Sequence, residues 1–179
     1  MTQPAPYIYS SLLTLALSLS LFGCSPTSTS EPAPTLDHHL SWDEDDENGN
    51  NHAGDAEEVD APWQRSITIN GTLQTCGYEG GEDWPWTGDN DNYRVEVPED
   101  GYMDVELQWD SSSDLDLMLY FEPPGNNASP DWFSNQSDNE GPESYLFDEP
   151  MSRGDDIVVG VACAGGEADS YRLVVNWET

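Results

Sequence analysis

The sequence predicts an all-β protein: a single antiparallel β-sandwich of about seven to eight strands over residues 64–179, following a disordered acidic N-terminal stretch. Three observations carry this. Apolar residues recur with a period of two in seven separate runs of the C-terminal two thirds. Gly, Pro, Asn and Asp punctuate those runs, and no convincing helical period of 3.6 interrupts them. Strict alternation marks half-buried strands, and many short strands with turn residues between them make a sandwich.

The runs follow in order. Ile67, Ile69 and Leu73 open the domain, and Tyr93, Val95 and Val97 form the second run, closed by the turn Pro98-Glu99-Asp100-Gly101. Met103, Val105, Leu107 and Trp109 make the third, and Leu115, Leu117, Leu119 and Phe121 the fourth. A weaker run holds Tyr145 and Phe147. Ile157, Val159, Val161 and Cys163 follow, and Tyr171, Leu173, Val175 and Trp177 close the chain. Side chains two apart share one face of a strand, so each set presents one apolar face to a common core.

Cys163 is in phase with the inward residues of its run, and Cys76 follows the first run closely. A Cys76–Cys163 disulfide would tie the start of the domain to its penultimate strand; the alternative is two unpaired thiols. The remaining cysteine, Cys24, lies just after the apolar run Ser11–Phe22. About a dozen apolar residues are too few for a comfortable membrane span and suit the core of a signal peptide. The sequence Leu21-Phe22-Gly23-Cys24 resembles the bacterial lipobox. That resemblance implies cleavage after residue 23 and lipidation of the Cys24 thiol, and Ser25 resembles the outer-membrane sorting choice. The family pattern is departed from by bulky Phe22 and by a start without Lys or Arg. The competing reading is an ordinary secretory signal with an incidental cysteine.

Residues 24–63 change character. From Ser25 to Pro62 there are 11 acids, no Lys or Arg and few apolar residues. Such a stretch buries too little surface to offset its ordering entropy, and like charge extends it, so it reads as a disordered acidic linker. His38, His39 and His52 lie within it at a spacing that fits no fixed zinc pattern. The whole chain has 36 acids against four arginines, a formal net charge of −32. This charge excludes binding to nucleic-acid phosphates by counterion release and repels anionic lipid headgroups. High-salt adaptation explains such acidity without assigning a role to any one carboxylate.

A second resemblance rests on several segments taken in order. These are Ile69-Asn70-Gly71-Thr72-Leu73, Asp89-Asn90-Asp91-Asn92-Tyr93-Arg94-Val95, Val97-Pro98-Glu99-Asp100-Gly101, Asp114-Leu115-Asp116-Leu117-Met118-Leu119-Tyr120 and Ser170-Tyr171-Arg172-Leu173-Val174-Val175. Together they resemble the bacterial pre-peptidase C-terminal domain over about residues 66–178. The resemblance implies a jelly-roll-like sandwich and a non-catalytic accessory or binding module. No peptidase domain accompanies it.

Candidate chemistry is of three kinds. Asp89 and Asp91, with Asp114 and Asp116, pair acids one residue apart, and each pair could offer oxygens to calcium, which takes six to eight. The alternative is a solvated polar strand face with turn acids capping amides. Trp84, Trp86 and Trp132 lie in loop-like segments among acids, where exposed rings would stack on sugars or anchor a protein. The alternative there is a small satellite core. Catalysis is the weakest candidate, because residues 64–179 hold no His or Lys and no Cys outside the expected bridge, so a nucleophile would lack its usual base. The expected function is a lipid-anchored envelope module that binds a surface polymer, carbohydrate or protein, with calcium assistance. A passive structural module and an accessory to a separately encoded hydrolase are the alternatives.

Overall fold

A computed structural model describes residues 39–179 except 45–48, 62–63, 80–85, 111–112, 122–123, 126–127, 135–140 and 168. The apolar run, Cys24 and Trp84 lie outside the described residues. Ten strands are present: β1 (Leu40–Asp43), β2 (Glu57–Glu58), β3 (Ser66–Thr72), β4 (Asn90–Glu96), β5 (Tyr102–Trp109), β6 (Asp114–Tyr120), β7 (Trp132–Phe133), β8 (Glu143–Leu146), β9 (Asp156–Gly165) and β10 (Ser170–Glu178). They form two five-stranded sheets, β1-β3-β10-β5-β8 and β2-β4-β9-β6-β7. All seven runs read from the sequence are strands here, and among the described residues the only helical element is a 3-10 turn at Ala53–Asp55.

The sheets meet over one apolar core. Ile67, Ile69, Tyr93, Val95, Leu107, Leu117, Val159, Leu173 and Val175 are all withdrawn from water. These are the period-two positions, and each aliphatic side chain so buried stabilises the fold by roughly 1.5–3 kcal/mol. The longest ladder lies between β10 and β5, running from Tyr171 opposite Trp109 to Glu178 opposite Tyr102. The disulfide Cys76–Cys163 is formed, with a Cα separation of 4.7 Å across 87 residues of sequence. By the chain-entropy model, closing a loop of that length contributes about 4.5 kcal/mol.

The expected linker is corrected over its second half. Leu40–Asp43 pairs in parallel with β3, Leu40 opposite Ile67 and Trp42 opposite Ile69. Glu57 and Glu58 pair in parallel with Tyr93 and Arg94 of β4. Two kinds of bond offset the ordering cost that composition alone made prohibitive. Backbone pairing continues past the strands, with Glu44 N–H on Asn70 C=O at 3.0 Å and Val59 N–H on Arg94 C=O at 3.0 Å. Few apolar residues are needed, because Leu40 and Trp42 rest on an existing core that also takes in Val59 and Ala61. The folded unit therefore begins well before residue 64.

Candidate functional site

The sandwich places candidate residues at three positions. The first is the end where β3 and β10 meet the start of β4. Asp91, on β4, opposes Val161 of β9 and points between the sheets. It is fully buried, and its Oδ2 accepts the Tyr171 hydroxyl at 2.7 Å. The Tyr171 and Tyr93 hydroxyl oxygens are 2.6 Å apart, so the carboxylate ends a chain of two phenols. Among the described residues, Asp91 Oδ1 has no hydrogen-bond partner. Burial pushes the Asp91 carboxyl up to about 8; the Tyr171 hydrogen bond opposes the rise, and the nearby Glu44 and Asp89 carboxylates add to it. Glu44 reaches this end because β1 is docked, and its Oε2 accepts the Thr72 N–H at 3.1 Å. Asp89 Oδ2 accepts the Gln74 N–H at 2.8 Å. The sequence offered no signal for Glu44, which lay in the segment expected to be linker.

The expected second acid pair is separate from the first. Asp116 opposes Ala162, whose other neighbour across β9 is Asn90, so Asp116 faces outward where Asp91 faces inward. Asp116 Oδ2 accepts the Trp86 indole N–H at 2.5 Å, and burial pushes its carboxyl up to about 7, helped by the Glu143 and Asp114 charges against the indole bond. The four aspartates therefore form no single site. Among the described residues, no group of three or more His, Cys, Asp or Glu is placed to hold a metal ion. At the first end the available oxygens are those of Asp89, Asp91 and Glu44.

Trp86 is corrected as a stacking platform. It is 2 % exposed and belongs to a second small core with Ala53, Met118, Tyr120, Val158 and Ala162 on the outer face of β6 and β9. This is why the outward positions of β6 are buried although they alternate with core residues. Phe133 and Tyr78 pack edge-on against the Trp86 ring, at 5.3 and 6.3 Å between centroids, and both remain exposed.

The third position is the sandwich edge formed by β7 and β8. Trp132 is half-buried there, 4.5 Å from Tyr145 between ring centroids. Phe121 joins at 5.3 Å from Phe147 and 6.3 Å from Tyr145, and is 40 % exposed. Leu146 opposes Asp104 on the outer face and is 69 % exposed. Tyr102, two residues from Asp104 on the same face of β5, is exposed as well. Glu143 pins the edge strand to the other sheet: its buried Oε2 accepts the Leu117 N–H at 2.9 Å and the Ser134 hydroxyl. Sequence reading singled out Trp132 but not Phe121, Tyr145 or Leu146. The available signal was Tyr145-Leu146-Phe147, three apolar residues in succession where one strand face should be polar.

No family model matches the sequence, and no curated protein matches it. Among solved structures, the chain is similar to the pre-peptidase C-terminal domain of a collagenase from Bacillus anthracis, at 16% identity and a TM-score of 0.45, over 68% of this chain and 94% of that one. It is also similar to PliG of Aeromonas hydrophila, a periplasmic lysozyme inhibitor of g-type lysozyme, at 14% identity and a TM-score of 0.41, over 79% of this chain and all of that one.

Proposed function

We propose that this chain is a non-catalytic binding module of the bacterial cell envelope, lipid-anchored through Cys24 in the outer membrane, that holds a protein ligand on its β7–β8 edge. The observation that carries the reading is the exposed apolar set at that edge. Phe121 is exposed where it packs with half-buried Tyr145, to which Trp132 also packs, and Leu146 and Tyr102 are exposed on the outer face of the same edge. Large exposed apolar patches rimmed by charge mark interaction sites. A protein ligand fits better than a carbohydrate, because the Trp132, Tyr145 and Phe147 rings meet edge-on or tilted and present no flat shared platform. The lack of His and Lys in residues 64–179 supports a non-catalytic role.

A calcium ion at the Asp89–Asp91 end is part of the proposal. Asp91 and Glu44 adjoin there, and among the described residues Asp91 Oδ1 has no hydrogen-bond partner, which supports a cation at this end, either a proton or a metal. Asp114 and Asp116 are not included. Calorimetric titration of chelator-treated protein with calcium should release or absorb heat and raise the melting temperature, and Asp91→Asn should abolish both. A flat titration would remove calcium from the reading. The binding edge is tested by envelope pull-down with the full-length protein. Phe121→Ala combined with Leu146→Ser should lose the captured partner, whereas retention by the double variant would refute the edge. Labelled palmitate entering a Cys24→Ser variant as in the wild type would refute the anchor.

A further inference from the structure

We infer that the ligand of this edge is a cationic polypeptide that adds to β8 as an extended strand. The inference rests on the binding-edge reading above and specifies the partner's chemistry and its mode of docking. β8 is the last strand of its sheet, and among the described residues no strand pairs its outer side. The Phe147 N–H bonds Met103 C=O at 2.9 Å, and Tyr145 opposes Val105 in the same register. Because backbone groups alternate across an antiparallel pair, the amides and carbonyls of Ser144 and Leu146 point away from β5. Both residues are exposed. A row of outward N–H and C=O groups on an edge strand is a template for another chain.

The charge around this edge selects the occupant. Ser144 opposes Glu106 and Leu146 opposes Asp104, and Asp148 and Glu149 follow β8 directly. Of the four arginines, Arg65, Arg94 and Arg153 lie away from β5 to β8, and Arg172 on β10 donates to Gln108 of β5 at 3.0 Å, next to β8 only through β5. A second copy of a chain with net charge −32 would be repelled, as would an anionic membrane or a nucleic acid. A strand alternating cationic and apolar side chains meets both requirements. Its apolar residues would lie on the inner side against Phe121 and Tyr145, and its cations on the outer side, where Asp104 and Glu106 flank Leu146 and Ser144.

The test uses the full-length protein and an alternating Lys-Val octapeptide at low salt. Ser144→Pro removes an outward N–H and leaves the bonds to β5 in place. It should weaken peptide binding about tenfold, while Ser144→Ala, which keeps the N–H, binds as the wild type does. The same peptide N-methylated on alternate residues cannot pair on one side, and it should bind the unaltered protein about tenfold more weakly; this arm is independent of how the variant folds. An alternating Glu-Val octapeptide should not bind. Full binding by both Ser144→Pro and the N-methylated peptide would overturn strand addition. If Leu146→Ser with Phe121→Ala still abolished binding in that case, the binding edge would survive without it. If that pair also bound the octapeptide and the envelope partner normally, the binding-edge reading itself would fall.

Discussion

The two edges of this sandwich are finished in opposite ways. At the β1–β2 edge an acidic arm lies down in parallel pairing and is held by polar bonds: Trp42 indole to Glu57 at 3.1 Å, Asn70 amide to Asp43 at 2.9 Å and Thr72 N–H to Glu44. At the β7–β8 edge the strands are two and four residues long, and the finish is aromatic and partly exposed. Edge strands are aggregation templates unless covered or charged. The first ends in two short strands that carry acidic side chains, Asp43 on β1 and Glu57 and Glu58 on β2. The second carries exposed Phe121 and Leu146 among acids, and that contrast supports the proposed binding edge.

Trp86 supports the outer face next to β7. Trp86→Ala should cost about 3–5 kcal/mol through its cavity and the loss of the indole bond to Asp116, read as a fall in the denaturant midpoint. A stability change below about 1 kcal/mol would show that the second core is not part of the fold's cooperative unit.

The pH dependence is the next largest effect and separates the two sites. Asp91 and Asp116 have pKa values raised to about 8 and about 7 from the ordinary 3.8. Each holds its proton more tightly folded than unfolded. Their contribution to stability is therefore complete below pH ~4 and is lost as pH rises through about 7 and about 8. Urea midpoints should fall between pH 5 and pH 9, and Asp116→Asn should flatten part of that fall. Equal slopes for variant and wild type would contradict the buried placement of Asp116.

Smaller effects follow. Tyr171→Phe leaves the buried Asp91 carboxyl without its hydroxyl donor and should cost about 1–3 kcal/mol, measured by chemical denaturation. Trp42→Phe removes the indole donor to Glu57 from the arm and should cost about 0.5–1.5 kcal/mol. Faster amide exchange in residues 40–43 would localise that loss to the first edge. Leu146→Ser, at the second edge, should change stability by no more than about 0.5 kcal/mol and act on binding alone.

Much of this was legible in the sequence. Ile67, Tyr93, Leu117, Val159 and Leu173 alternate with a period of two because a strand buries one face, and every strand so read is present. Cys163 fell in phase with that buried face, and its bond to Cys76 is formed. The outer face of β6 was not legible. Alternation assigns Asp116, Met118 and Tyr120 to solvent, whereas Trp86 arrives from a distant loop to cover them. The docked arm was hidden for a related reason. Leu40, Trp42 and Val59 are too sparse to form a core of their own and gain their stability only from one already built.

The sequence by itself determined seven of the ten strands and the inward face that forms the core, because each depends on a local period of two, and it offered Cys76 and Cys163 as a candidate pair. Only the tertiary structure decided that Asp91 turns inward to Tyr171 and Tyr93 while Asp116 turns outward to Trp86. It also decided that Glu44 adjoins Asp91, and that Phe121 and Trp132 both pack on Tyr145 at the β7–β8 edge while Leu146 stands exposed on the outer face. These juxtapositions join residues dozens of positions apart, and they follow from strand order and register, which no local period encodes.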